Sequence, residues 1–335
     1  MHLPFRTFFS LLGLLALTAN LAYAFDINKL IFKDLRDGGK HLNMSRGGIL
    51  KDEGIQQLAD SRMLSKVETL ILSSHEMKDQ GAIALANSKY LSNLIKVDFK
   101  NNLIGSAGVA AIANSEAFSN VNYLSMWGNK VDSEGARALA HSLLNKLEYL
   151  DLSNNTIGPE GAKALANSGN FKNLKTLLLG NNQIGDKGFC SLVQSPVLSS
   201  LEILEVPGNF IGPEGAECFL GKTRFPMLRK LHTLNISRNQ LGDQGARILS
   251  QVTHLDALRE FDLQWNQINE KGAQDLANSI GFQNLKILKM WGNPIGERGA
   301  KVLEESKALA NLTNTIEIQI ETEPSGTVET GKQPL

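Results

Sequence analysis

The side chains able to do chemistry are few in this 335-residue chain, and their spacing narrows what they could do. The six histidines, His2, His41, His75, His141, His232 and His254, fall at no metal-ligand spacing. Nucleophile-elbow, phosphate-loop and paired metal-ligand motifs are absent. Neither catalysis nor a metal or other cofactor is therefore expected. What recurs instead is a set of aromatics and carboxylates: Tyr123, Trp127, Tyr149, Trp265 and Trp291, with Asp98, Asp151, Glu205 and Asp262. On an open surface such residues do the chemistry of contact. Aromatic rings anchor a partner, and carboxylates meet basic side chains and steer their approach.

These residues keep their interval because the chain around them repeats. The stretch from Leu147 to Asn167, LEYLDLSNNTIGPEGAKALAN, recurs nine times, starting at Val67, Leu94, Val121, Leu147, Leu174, Leu201, Leu231, Leu258 and Leu285. Successive starts are 27, 27, 26, 27, 27, 30, 27 and 27 residues apart. A fixed period of this length marks a solenoid, in which no unit has a core of its own. Within the unit, Leu150 and Leu152 alternate with Tyr149, Asp151 and Ser153, the two-residue period of a strand with one buried face. In GPEGAKALAN, Ala162, Ala164 and Leu165 are the expected buried face of a helix. Pro159 and Pro213 at the first helical position, followed by Glu160 and Glu214 in the first turn, mark its start.

Two further columns read as structural. Asn102, Asn129, Asn155, Asn182, Asn209, Asn239, Asn266 and Asn293, with His75 in the first unit, stand where a side chain can bond the turning backbone of its own and the next unit. Gly81, Gly108, Gly135, Gly161, Gly188, Gly215, Gly245, Gly272 and Gly299 are expected where the helix passes close to the strand and a Cβ would not fit.

The unit L-x-x-L-x-L-x-x-N-x-I-G-x-x-G-A-x-x-L-A resembles the leucine-rich repeat, and its length resembles the ribonuclease-inhibitor and RanGAP type. The resemblance covers residues 67 to 305 without a gap. It implies an α/β leucine-rich-repeat solenoid, a horseshoe with a parallel sheet on the concave face and one helix per repeat on the convex face. Spacing supports the same curvature, since strands stack at ~4.8 Å and helices at ~8–10 Å.

The ends differ from the units. Residues 1–24 have a basic start, an apolar run from Phe8 to Leu17 and the sequence Ala22-Tyr23-Ala24, the three parts of a secretory signal peptide cleaved between Ala24 and Phe25. The apolar run is shorter than the ~20 residues of a spanning helix, so no stable membrane insertion is expected after cleavage. The product would be secreted, periplasmic or at the cell surface. Residues 25–66 read as an N-terminal cap: Asp26 heads a helix bearing Ile27, Leu30, Ile31 and Leu35, and His41 to Asp60 is a degenerate repeat. Nine repeats fill 67–312, a closing strand is expected at 313–320, and the tail 321–335 reads as disordered. Basic and acidic residues balance, 34 against 34, so no nucleic-acid footprint is expected.

In each unit the fourth and sixth positions face the core, leaving the third, fifth and seventh open on the concave sheet. Tyr123 and Tyr149 take the third position, Trp127 and Trp291 the seventh, and Trp265 the eighth. Tyr123, Trp127 and Tyr149 are expected to form one aromatic patch. Asp98, Asp151, Glu205 and Asp262 take the fifth position in alternate units, an acidic stripe with members ~10 Å apart; Lys96 and Lys100 flank Asp98. The unit of Leu201 carries three extra residues within Gly221 to Lys230, a loop made basic by Lys222, Arg224, Arg229 and Lys230. Cys190 and Cys218 fall one unit apart at helix positions shifted by one. A full helix spacing would part their Cα atoms beyond the ~7 Å a disulfide tolerates, leaving Cys218 as a core-facing thiol and Cys190 partly exposed.

The reading that follows is an exported, non-enzymatic interaction module, a monomer that holds a protein on its concave face, as secreted effectors or surface proteins of host-associated bacteria do. Two others stand beside it: a GTPase activator of RanGAP type, and a structural repeat protein of the envelope surface. Fold alone does not choose among them.

Overall fold

A computed structural model describes residues 26–220 and 225–313. The signal segment and its cleavage point, most of the closing strand, the tail, and Lys222 and Arg224 of the long loop lie outside the described residues.

Eleven strands form one open sheet in sequence order. β1 (Leu35–Arg36) pairs antiparallel with β2 (His41–Asn43). From there every pair is parallel, through β3 (Thr69–Ile71), β4 (Lys96–Asp98), β5 (Tyr123–Ser125), β6 (Tyr149–Asp151), β7 (Thr176–Leu178), β8 (Ile203–Glu205), β9 (Thr233–Asn235), β10 (Glu260–Asp262) and β11 (Ile287–Lys289). The register never slips, so equivalent unit positions face each other: Tyr123 opposite Tyr149, Ser125 opposite Asp151. The chain is an α/β leucine-rich-repeat solenoid.

Helices α1 (Ile27–Asp34), α2 (Lys51–Ala59), α3 (Asp79–Ala86), α4 (Ser106–Ala113), α5 (Ser133–Ala140), α6 (Gly158–Ala166), α7 (Gly185–Val193), α8 (Pro213–Glu217), α9 (Gly242–Ser250), α10 (Glu270–Ala277) and α11 (Gly296–Glu304) cover the other side. Asp26 caps α1, its carboxylate accepting from the Lys29 amide at 3.3 Å, and Ile27 and Ile31 are buried. In α6 the buried set is Gly161, Ala162, Leu165 and Ala166. Ala164, expected inside, is half-buried. One helix turn advances 3.6 residues, so the core-facing stripe picks up the pairs 161–162 and 165–166 and passes 164 by.

The second glycine column is required by helix packing more than by the strand. A Cβ on Gly161 would lie 2.5 Å from Ile157 Cγ2, 3.1 Å from Ala136 Cβ and 3.2 Å from the Ser133 Cα of α5. Its hydrogen atom lets consecutive helices touch backbone to backbone.

The asparagine column forms the expected ladder. Asn102 Oδ1 accepts from the His75 and Met77 amides at 3.0 and 3.1 Å, while Nδ2 donates to the Leu72 and Phe99 carbonyls at 2.8 and 2.9 Å. The buried turning backbone is thus satisfied from one side chain per unit. His75 fills the same place in the first unit, with Nδ1 accepting from the Leu50 amide at 3.4 Å. Its buried Nε2 has no hydrogen-bond partner among the described residues, and burial holds the ring below its usual pKa.

Helix starts fall into two kinds. In α3, α4, α8 and α10 the residue before the helix is extended, and the first amides are capped by an aspartate of the preceding helix. Asp52 Oδ1 accepts from Lys78 and Gly81, Asp79 from Gly105 and Gly108, Asp186 from Gly212 and Gly215, Asp243 from Asn269 and Gly272, all at 2.7–3.1 Å. α5 is capped by its own Asp132, which Ser106 of α4 also contacts. Where the preceding helix offers Ser133, Pro159, Pro213 or Glu270 in that place, the next helix opens instead on Gly158, Gly185, Gly242 or Gly296 in left-handed backbone, φ 63, 60, 55 and 64°. Glycine adopts that conformation at little cost.

Cys190 and Cys218 are joined in a disulfide, with their Cα atoms 5.2 Å apart. The expectation of two free thiols is corrected, and the reason is geometric. An axis-to-axis spacing of ~8–10 Å overstates the gap between facing Cα atoms, because each lies ~2.3 Å off its own axis toward the other. Cys218 is also not core-facing: α8 stops at Glu217 and Phe219 takes the buried place, leaving Cys218 half-buried.

Candidate functional site

On the concave wall each strand contributes only its third to fifth positions, and the turn after it sets the rest. Tyr123 and Tyr149, in register on β5 and β6, stack with ring centroids 4.1 Å apart and planes 7° from parallel. The Lys96 ammonium sits 4.2 Å from the centre of the Tyr123 ring, a cation–π contact that continues the row onto β4. Both tyrosines stay half-exposed. Burial first, then Tyr123 and the charges of Asp151 and Glu205, push the Tyr149 phenol far above its ordinary pKa, so it stays a neutral donor. Trp127 is half-exposed in the turn that follows β5, and no ring contact joins it to the tyrosines among the described residues. The expected patch is therefore a tyrosine pair with a separate tryptophan.

A second aromatic pair stands at the other end. Trp265 and Trp291 meet edge to face, centroids 4.5 Å apart at 87°. Trp265 is 39 % exposed. Its eighth position is left-handed in every unit, held elsewhere by Ser74, Asn101, Gly128, Asn154, Asn181, Gly208, Arg238 and Gly292, and its own φ is 55°. Such a conformation costs a bulky residue on the order of 1 kcal/mol or more.

The acidic stripe resolves into unequal members. Asp98, Asp151 and Asp262 each turn back to accept from the amide two residues on, at 3.0, 3.1 and 3.0 Å. This is the local Asx bond that short polar side chains make at the end of a strand. Asp151 also accepts from the Ser125 hydroxyl at 3.2 Å, and Asp98 from that of Ser73 at 3.2 Å with Lys100 Nζ 3.7 Å away. The fifth position, expected open, is closed where such bonds fold it in: Ser125 is 0 % exposed, Asp151 4 % and Asp262 8 %. Glu205 differs. Two residues on stands Pro207, which has no amide hydrogen, and no hydrogen bond or ion pair reaches the Glu205 carboxylate among the described residues. Half-buried, it is raised above the usual carboxylate pKa by burial first, then by Asp262, Glu260 and Asp151, with Lys289 opposing.

Sequence reasoning passed over Phe210, which is 61 % exposed with φ 59° in the unit of Glu205. The signal was an aromatic at the tenth position, where the other units carry Glu76, Leu103, Lys130, Thr156, Gln183, Gln240, Gln267 and Pro294. Among the described residues no group of three or more His, Cys, Asp or Glu is placed to hold a metal ion, and no helix is long and apolar enough to cross a membrane.

The Leucine Rich repeat family profile matches residues 64–86, 144–166, 172–189, 228–250 and 257–277. The chain thus carries leucine-rich repeats, in agreement with its fold. No curated protein matches it in sequence. Among solved structures it is similar to a chain of an octameric complex of Latrophilin 3, Unc5D and FLRT2, the last contributing leucine-rich repeats, at 17 % identity and TM-score 0.47 over 76 % of this chain and 70 % of that one. It is also similar to an internalin of Listeria monocytogenes, at 20 % identity and TM-score 0.44 over 90 % and 92 %. At these values neither likeness carries a functional argument.

Proposed function

We propose that this chain is an exported, non-enzymatic module, a monomer that binds a protein partner on its concave face. The observation that carries the reading is the stacked pair Tyr123 and Tyr149, half-exposed on a rigid strand ladder. Rings fixed in place lose little entropy when a partner covers them, which is what a binding anchor needs. Export is supported by the Cys190–Cys218 bond, because disulfides persist in oxidising compartments, together with the signal-like residues 1–24. On this reading the chain acts as a secreted effector or surface protein of a host-associated bacterium.

The test is capture from candidate host and bacterial lysates, with bound proteins identified by mass spectrometry, for wild type and for Y123A/W127A/Y149A. A partner held by wild type and released by the folded variant supports the reading; equal capture by both removes the concave face from it. N-terminal sequencing of material from an exporting host checks cleavage before Phe25.

A further inference from the structure

We infer that the partner presents a lysine or arginine to Glu205, within an extended and otherwise apolar segment that runs onto the tyrosine pair. This rests on the concave-face reading and specifies its partner. Three observations converge.

The first is the contrast among carboxylates that share one column. Asp98, Asp151 and Asp262 are held by their own backbone, and Asp98 has Lys100 beside it as well. Glu205 alone of the four lacks the local donor, because Pro207 stands where the amide would be. Its side chain is also one methylene longer than theirs. A half-buried carboxylate without donors is costly to keep charged and gains most from a cation brought to it.

The second is the charge of the wall around it. At the third, fifth and seventh positions of the five units starting at Val121, Leu147, Leu174, Leu201 and Leu231, no lysine or arginine occurs, while Asp151 and Glu205 do. The next cation at such a position, Lys289, is held by Glu260 at 2.5 Å. A basic segment meets no repulsion across this span, whereas an acidic one does.

The third is shape. Between the tyrosines and Glu205 the wall is apolar and low: Leu178 and Ile203 are half-exposed, and Gly180 lies so close to Pro207 that a Cβ there would be 2.9 Å from the proline ring. A chain crossing strands β6 to β8 would set apolar side chains on Leu178 and Ile203 between a cation at Glu205 and a ring-facing group at Tyr149.

The experiment selects random peptides from a display library on the full oxidised chain, on E205Q, on E205K and on Y123A/W127A/Y149A, with folding of each checked by circular dichroism. Wild type is expected to enrich peptides with lysine or arginine flanked by apolar residues, and E205K to enrich acidic ones. One selected peptide, labelled for fluorescence anisotropy, should bind E205Q about tenfold or more weakly. Acetylating its lysines should weaken binding to wild type alike, and spermine should not displace it at equal concentration. Enrichment without basic residues, unchanged affinity in E205Q, or displacement by spermine at equal concentration overturns the inference. Peptides that lack cations yet are lost in the triple variant sink the Glu205 anchor and leave the concave-face reading standing. Peptides kept in full by the triple variant sink that reading itself.

Discussion

The wall's two aromatic pairs are built on different backbones. Tyr123 and Tyr149 occupy ordinary strand positions, lie flat on each other and join a row with Lys96, so their stacking helps hold β4, β5 and β6 together. Trp265 sits instead at a left-handed corner that glycine, asparagine, serine and arginine fill elsewhere, and meets Trp291 of the next unit edge to face. The difference lies in what the backbone asks of each. The tyrosines stack without backbone cost and stay half-exposed, whereas Trp265 holds its ring at a left-handed corner that is unfavourable for a bulky residue.

The largest effect should come from the staple between the two ends. In C190S/C218S, loss of a bond closing a 28-residue separation should cost about 3–4 kcal/mol of stability. Urea unfolding should show it, with reductant producing the same loss in wild type and none in the variant. If hydrogen exchange then rises at both aromatic pairs, the two ends behave as one body; a rise confined to α7 and α8 keeps them independent. Next comes the direct contrast. Y149A should lose roughly 1–2 kcal/mol, for the ring pair and its buried area. W265N, which restores the corner's usual residue type, should change stability by less than about 0.5 kcal/mol, since relief of the left-handed cost offsets the lost ring contact. Equal losses in the two variants would erase the distinction.

The smallest effect concerns His75, on the tyrosine side. Its folded pKa is lowered from 6.5, so the neutral ring is the form the fold holds. That contribution is present above pH 6.5 and is lost as pH falls below it, through the lowered folded value. H75N should remove this slope and hold its stability near pH 5 better than wild type, measured as thermal midpoints from pH 8 to 5. A slope unchanged by the substitution would assign the pH dependence elsewhere.

Much of this was legible in the sequence because a repeat prints the same requirement many times. The asparagine ladder and the strand register followed from position within the unit, whereas the fifth column, expected open, is closed at Ser125, Asp151 and Asp262. The misses came where the answer depended on the neighbouring unit. A helix spacing sets Cys190 and Cys218 too far apart to bridge, and the facing Cα atoms are closer than the axes. Asp52, Asp79, Asp186 and Asp243 look like first-turn acids of their own helices, and only three dimensions show them serving the next. Asp151 and Asp262 carried the right charge but spend it on backbone amides, while Pro207, which frees Glu205, is informative only when read against the other units' seventh position. Trp265 was placed one residue past the open column, and the strain there was foreshadowed by the glycines and asparagines above and below it.

The borrowed aspartate caps have a consequence for how this molecule can change length. A segment opening with Asp-x-Gly is followed by an extended approach, and one opening with proline or glutamate before the same glycine is followed by a left-handed glycine, while serine is followed by the self-capping Asp132 in one place and by Gly158 in another. Copies are therefore not interchangeable bricks. Duplicating the segment that ends in α6 behind α7, for example, would set Gly158 against Asp186, whereas placing it behind α8 would match. Lengthening or shortening this wall, by recombination or by an engineer, works in a grammar of adjacent pairs.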